Sequence, residues 1–129
     1  MAKRINTTPN NEPIKVGRLR MPIAKVISRK SADIYVMQNY LQHINNEHPE
    51  FKKLGLTAFM YIKSITDNFN QIHKGSGTSL LLVVFNGDKN PVVAVDMNYS
   101  IKRGAWEVKT AQIRSNANIK RSEVLWKKP

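Results

Sequence analysis

Three short runs that contain β-branched residues, in the second half of the chain, limit its fold more than any other feature. They read LLLVVF, PVVAVDM and WEVKTAQIR, and the segments NGDKN and SIKRG separate them. Such runs with polar connections predict consecutive antiparallel strands, and the Asn-Gly step followed by Pro91 fits a turn leading into a strand. The terminal EVLW predicts one more strand at an edge.

Helical periodicity precedes these strands. In NYLQHINNEH the apolar residues recur at helical spacing, and Pro49 predicts the end of that helix. A second helix is predicted from Leu56 to Phe69, where apolar residues recur every three or four positions. The segments IKVGRL and IYVM predict short strands. Helices followed by strands favour an α+β domain, with N-terminal helices packed on a C-terminal antiparallel sheet.

The length of 129 residues fits a single compact unit. The opening MAKRINTTPNNE has no periodicity, so we predict a flexible arm over residues 1–13 and one domain over residues 14–129. No apolar run is long enough to span a membrane. Polar residues follow Lys3 and Arg4, where a signal peptide would have an apolar segment.

The charge of the chain indicates the class of its partner. There are 21 Lys and Arg residues against 9 Asp and Glu, a formal net charge of +12. This excess predicts a polyanionic partner, and nucleic acid is favoured over a membrane surface because no basic amphipathic helix is visible. The chain has no cysteine, which excludes disulfides, thiol catalysis and cysteine-ligated zinc.

The stretch QHINNEH holds two of the three histidines. Two histidines that bind one zinc from a helix need i, i+4 spacing, whereas His43 and His48 are five residues apart, about 140° around a helix. They cannot both face one metal while helical, so we predict no metal site. Either histidine is also compatible with a structural role, His48 at the helix end and His43 on an exposed side. His73, in IHKGSG, is predicted to lie in a loop.

A row of polar side chains marks the strand WEVKTAQIR. Alternation places Thr110, Gln112 and Arg114 on one face. It puts Trp106 and Val108 on the same face as this row, and Glu107 on the other face unless a bulge intervenes. Such a row is costly in an apolar sheet unless it is solvated at an edge or used in function. The next segment adds hydroxyl, amide and cationic groups that suit phosphate: Ser115, Asn116, Asn118, Lys120 and Arg121.

Two segments of the chain resemble a known group of nucleases. DIYVMQNYLQHINNEHPEF is similar to a strand followed by a helix with an HIxxxH motif, and NPVVAVDMNYSIKRGAWEVKTAQIRSNANIKRSEVLW to a closing meander with a V-x-TA-x-x-R step and a terminal LW. Together they resemble the BECR superfamily, which groups barnase, EndoU, colicin and RelE nuclease domains. The resemblance covers roughly residues 33–127, and the phage-associated and contact-dependent growth-inhibition toxins are most similar.

The resemblance implies a metal-independent endoribonuclease without a cofactor, often one that cuts tRNA. In that chemistry the RNA 2′-OH attacks the adjacent phosphate and leaves a 2′,3′-cyclic phosphate and a 5′-OH end. The resemblance assigns His43 as general base or acid, Arg114 as phosphate clamp and Thr110 as a positioning group, with His48 as a further catalytic candidate. The chain departs from barnase-type enzymes in the base, because no glutamate stands where those enzymes use one. The candidates for substrate binding are Lys109, Ser115, Asn118 and Lys120.

A toxin also implies an inhibitor and a route of delivery. We expect an acidic immunity protein that mimics the charge of RNA, and a domain delivered as the C-terminal part of a larger toxin that acts in the cytoplasm of the target cell. The alternative is a basic nucleic-acid-binding module without catalysis. Such modules usually expose aromatic residues on a sheet, whereas most aromatic residues here lie at apolar-periodic positions.

Overall fold

The computed structural model of the chain describes residues 11–47 and 57–129. Within these ranges seven strands form one sheet, and four helices accompany it, which confirms the predicted α+β class. The elements in chain order are β1 (Pro13–Leu19), α1 (Met21–Val26), β2 (Ala32–Met37), α2 (Gln38–Glu47), α3 (Ala58–Asn68), β3 (Gln71–Lys74), β4 (Leu80–Val83), β5 (Asn90–Asn98), β6 (Ala105–Arg114), α4 (Asn116–Ile119) and β7 (Val124–Lys127).

The strands follow the order β1-β2-β6-β5-β4-β3-β7 across the sheet. The predicted meander is present as β4, β5 and β6, which pair antiparallel in sequence order. The N-terminal strands β1 and β2 extend the sheet beyond β6, so the sheet is not built from the C-terminal half alone. β2 runs parallel to β6, with Ile34 opposite Trp106. The sheet is therefore mixed, with one parallel pair among the described strands.

The helices α1, α2 and α3 pack on one face of the sheet, which we call the helix-covered face. Its core includes Leu41 and Ile44 of α2 and Ile62 and Ile65 of α3, all buried. α3 begins after Thr57, whose Oγ1 accepts a hydrogen bond from the backbone N–H of Met60 at 3.2 Å. The predicted helix over 56–69 is therefore present as Ala58–Asn68, and residue 56 lies outside the described part of the chain.

The sheet curves around α3, because both edge strands contact the C-terminal end of this helix. Thr66 Oγ1 donates a hydrogen bond to the carbonyl of Val16 in β1 at 2.6 Å. The ring of Phe69, the residue after α3, meets Trp126 of β7 edge to face at 5.7 Å. The close approach requires glycine at position 17, since a Cβ there would lie 2.8 Å from Thr66 Oγ1.

Residues 1–10 of the predicted arm lie outside the described residues, but the end of the arm is in contact with α2. The carbonyl of Glu12 accepts a hydrogen bond from Gln38 N at 3.0 Å, and Asn11 Oδ1 accepts one from Asn39 N at 3.1 Å. These contacts satisfy N–H groups that the first turn of a helix leaves without intrahelical partners. No helix in the two described ranges is long and apolar enough to cross a membrane.

The prediction that His73 lies in a loop is wrong. His73 is in β3 and is 1% exposed. The strand is only four residues long, and it is held by pairing with β4 on one side and with β7 on the other. Local sequence cannot indicate such a strand, because its stability comes from residues far along the chain.

Candidate functional site

A bulge in β6 determines which face of the sheet carries the polar row. Thr110 pairs with Ala94, and Val108 pairs with Val95. Lys109, between them, has no pairing partner in β5 and is the extra residue of the bulge. Val108 and Ala111 both lie in the core of the helix-covered face. The prediction that the polar row shares a face with Trp106 and Val108 is therefore wrong, because the extra residue reverses the alternation after Val108.

Thr110, Gln112 and Arg114 lie on the opposite side of the sheet, which we call the open face. Glu107 lies on this same face, because its neighbour Val108 points to the helix-covered face. The bulge moves the polar row to the side of Glu107. Glu107 pairs with Asp96 in the register of β5 and β6, so two carboxylates stand side by side on neighbouring strands. Strand alternation without the bulge would have separated Glu107 from the polar row.

Hydrogen bonds and one cation hold the two carboxylates. Asp96 Oδ1 accepts hydrogen bonds from Thr78 Oγ1 at 2.7 Å and from Met97 N at 2.9 Å. Glu107 Oε1 accepts a hydrogen bond from Asn98 Nδ2 at 2.7 Å and lies 3.3 Å from Lys109 Nζ. Like charges on directly opposed residues destabilise a sheet. These donors offset that repulsion and fix the orientation of both groups.

A cleft of about 580 Å³ opens on this face. Four cationic side chains and one carboxylate line it: Lys74, Lys109, Arg114, Arg121 and Asp96. Its other polar side chains are Ser76, Ser79, Thr110, Gln112, Asn118 and Ser122. An excess of cations among neutral hydrogen-bonding groups is suited to a phosphodiester, which carries one negative charge and several acceptor oxygens.

The segment after β6 folds over one end of the cleft. It is the short helix α4 rather than a loop. Ser115 precedes it, and its Oγ accepts a hydrogen bond from Asn118 N at 3.2 Å. Ile119 is buried against Leu81, Val83, Val92 and Ala94 on the open face. This apolar contact places Asn118, Arg121 and Ser122 at the cleft.

The predicted site residues thus separate into groups. Thr110, Arg114, Lys109 and Asn118 meet in the cleft, as the sequence predicts for a shared anion site. Ser115 caps α4, so its hydroxyl is engaged with the backbone. Lys120 is exposed at the end of α4 and is not among the described residues that line the cleft.

His43 is not brought together with this group. It is exposed on α2, and its ring stacks on Tyr40 with 6.1 Å between the ring centroids. α2 packs through Leu41 and Ile44 on the helix-covered face, whereas Thr110 and Arg114 face the other side of the sheet. His48 lies outside the described residues, as does the predicted helix end at Pro49.

The cleft includes functional groups that the sequence reasoning missed. The segment KGSGTS, between β3 and β4, contributes Lys74, Ser76 and Ser79. Its mixture of one cation with glycines and hydroxyl groups was an available signal for anion binding, although such a segment is also an ordinary turn. Asp96 follows the apolar run PVVAV, and a carboxylate at that position was a second signal.

The third histidine lies buried beside the cleft. His73 Nδ1 is 2.9 Å from Ser122 Oγ, and His73 Nε2 is 2.6 Å from Gln71 Oε1. Burial lowers the pKa of His73 below its usual value, against the opposing effect of nearby backbone carbonyls. Ser122 contacts the His73 ring and also lines the cleft.

The described ranges contain no cluster of three or more histidine, aspartate or glutamate residues that could hold a metal ion. Comparisons with models of protein families, with curated proteins and with solved structures found no match to this chain.

Proposed function

We propose that the chain is an endoribonuclease that binds the RNA backbone in the cleft and cuts it by attack of a 2′-OH on the adjacent phosphate. The observation that carries the proposal is the pairing of Asp96 and Glu107 on the face where four cations line one cleft. Cations alone would indicate that the cleft binds the RNA backbone without cutting it. The oriented carboxylate of Asp96 among them adds the proton acceptor that this reaction needs.

Asp96 is the proposed general base. It lines the cleft, and both of its described hydrogen bonds are made through Oδ1. In the reaction the 2′ oxygen forms a bond to phosphorus as its proton moves to the carboxylate of Asp96, and the bond from phosphorus to the 5′ oxygen breaks. The 5′ oxygen takes a proton from solvent, which reaches the open cleft. The products are a 2′,3′-cyclic phosphate and a 5′-OH end.

The cations stabilise the charge that develops on phosphorus. Lys109 and Arg114 line the cleft together with Thr110, and a preorganised cation is worth most where negative charge accumulates in the transition state. Glu107 is a positioning residue, because its carboxylate is 3.3 Å from the ammonium of Lys109. It holds that ammonium on the open face while Asp96 takes the proton.

The resemblance to the BECR toxins supports the same reaction and extends the proposal to the biological setting. The substrate is RNA, in particular tRNA. The domain is the C-terminal part of a larger toxin, it acts in the cytoplasm of the target cell, and an acidic immunity protein neutralises it. A net charge of +12 supports both the polyanionic substrate and the acidic inhibitor.

The direct test is incubation of the purified chain with total tRNA in EDTA, followed by mapping of the fragment ends. We expect cyclic phosphate and 5′-OH termini. RNA with a 2′-deoxy nucleotide at the cleavage position should bind and stay intact. Asp96→Asn and Arg114→Ala should each lower the cleavage rate by about 10²- to 10⁴-fold. Lys25→Ala, which removes an exposed cation from α1, is the matched control and should retain the rate.

His43→Ala decides between the two assignments of the base. The sequence resemblance assigns His43, whereas the cleft offers Asp96. We expect His43→Ala to keep most of the activity, because α2 packs on the other face of the sheet. Binding of tRNA without any cleavage would refute the enzyme and favour the non-catalytic binding module. Activity that survives Asp96→Asn unchanged would refute the assignment of the base.

A further inference from the structure

A second, smaller pocket lies at the end of the sheet where β5 turns into β6, on the side of Met97 and Trp106, which pack on the helix-covered face. Its volume is about 310 Å³, and Met97, Tyr99 and Trp106 give it an aromatic and apolar lining. Thr78 also lines it, and Thr78 Oγ1 donates the 2.7 Å hydrogen bond to Asp96 Oδ1. One hydrogen bond therefore separates this pocket from the proposed general base.

Tyr99 is held in an exposed position on this pocket. Its side chain is 74% exposed, although an aromatic ring of this size normally packs away from water. It stands at the start of the turn between β5 and β6, where Lys102, Arg103 and Gly104 have φ values of 35°, 64° and 91°. A Cβ at position 104 would lie 2.8 Å from Tyr99 Cδ1, so the ring rests on the glycine backbone. The turn presents the ring rather than burying it.

The rim of the pocket is cationic. Lys30 Nζ lies 5.7 Å from the centroid of the Tyr99 ring and donates a 2.9 Å hydrogen bond to the carbonyl of Arg103. The carbonyl of Lys30 accepts a hydrogen bond from Trp106 Nε1 at 2.9 Å, which ties this segment to β6. Arg29 also lines the pocket. These contacts fix a positive charge over the ring of Tyr99, which remains 74% exposed.

We propose that this pocket binds one unpaired base of the RNA, next to the nucleotide whose phosphate is cut, by stacking on Tyr99; the inference rests on the proposed function. Single-stranded nucleic acid is recognised by aromatic side chains that stack on bases, together with cations that follow the backbone. A base inside a duplex is stacked on its neighbours and cannot enter. The pocket thus makes the enzyme specific for single-stranded segments such as loops.

The test uses a short single-stranded RNA with 2′-O-methyl sugars, which has no free 2′-OH and cannot be cut, so that binding is measured without catalysis. Fluorescence anisotropy gives its affinity for the wild-type chain and for Tyr99→Ala, Tyr99→Phe and Met60→Ala. Met60, 48% exposed on α3, is the matched control for loss of an exposed apolar side chain. A duplex of the same sequence is the second ligand.

Tyr99→Ala should weaken binding of the single strand by about 10- to 100-fold, because stacking on one aromatic side chain supplies that much affinity. Tyr99→Phe and Met60→Ala should stay within about 3-fold of the wild type, and Tyr99→Ala should leave duplex binding within the same limit, since those complexes keep every stacking contact they have. Unchanged single-strand binding by Tyr99→Ala, or an equal loss on the duplex, would overturn the inference. Each outcome is independent of cleavage: a chain that shows the expected pattern and cuts no RNA keeps the pocket and loses the proposed catalysis.

Discussion

Removal of the Asn90 amide is the most direct test of how the cleft is held in shape. Asn90 is fully buried between the turn after β4 and the corner where β6 meets α4. Its Oδ1 accepts hydrogen bonds from Asn86 N at 2.9 Å and Gly87 N at 3.3 Å. Its Nδ2 donates to the carbonyl of Arg114 at 3.0 Å, and the other acceptors of Nδ2 are Asp88 O at 3.2 Å and Asn116 Oδ1 at 2.9 Å.

The amide has two N–H groups, so it satisfies about two of these three acceptors well at any moment. Asn90→Ala therefore loses about four hydrogen bonds of roughly 1 kcal/mol each. Part of this is recovered where water reaches the exposed turn, so we expect a loss of about 2 to 3 kcal/mol in the free energy of unfolding. Urea denaturation measures it, and the midpoint should fall by roughly 1 to 2 M with an unchanged slope.

Asn86→Ala is the matched control in the same turn. Asn86 is exposed, and its side chain bonds only within the turn, to the carbonyl of Lys89 at 2.9 Å and from Asp88 N at 3.0 Å. Asn86→Ala should lower the free energy of unfolding by less than about 1 kcal/mol, because water replaces the exposed hydrogen bonds of this side chain. If the free energies of unfolding of the two variants differ by less than about 0.5 kcal/mol, the reasoning from burial is refuted.

Three further predictions concern pH, packing and salt. The pKa of His73 is lowered in the folded chain, so the unfolded chain binds the proton at a higher pH than the folded chain does. The free energy of unfolding should therefore decrease as the pH falls below about 6.5. Urea titrations at several pH values measure this dependence on pH, and His73→Gln should reduce it. Gly17→Ala should cost about 1 to 3 kcal/mol, measured by thermal unfolding, because its Cβ would meet Thr66; no loss would contradict the close approach. Arg114→Ala should reduce the slope of log affinity against log salt for single-stranded RNA by about 0.7, the share of one phosphate contact, whereas Lys63→Ala on α3 should leave it unchanged.

The sequence predicted those parts of the fold whose signals are local. The β-prone runs of β4, β5 and β6 and the helical spacing of α3 each indicate the type of element, and in α3 the spacing also indicates the buried side. In the strands it does not, because β4 is buried on both faces and the bulge reverses the alternation in β6. β3 contains a single fully apolar residue, Ile72, and pairs with β7 some fifty residues later, so nothing in its own four residues predicts it. The parallel pairing of β2 with β6 is likewise a property of the assembled sheet.

Of the predicted site residues, Thr110, Arg114, Lys109 and Asn118 line the cleft, but their geometry was not predicted. The grouping of Thr110 with Arg114 depends only on alternation after the bulge, and it is present in the cleft. The position of Glu107 depends on where β5 and β6 lose register, which is set by pairing across the strands. A signal was nevertheless available: Trp106 and Val108 are two residues apart, and the next buried apolar residue, Ala111, is three residues further on. That change of phase indicates an extra residue in the strand.

The bulge allows one strand to serve both the core and the cleft. Without it, Thr110, Gln112 and Arg114 would follow Trp106 and Val108 into the helix-covered face, where each unpaired polar group would cost about 1 to 3 kcal/mol. With it, the first half of β6 contributes Trp106 and Val108 to the core, and the second half presents polar side chains to the open face. The polar side chains on the second half of β6 can therefore be substituted without leaving a cavity beneath α3. The residues that fill the space beneath α3 point to the helix-covered face, not to the open face.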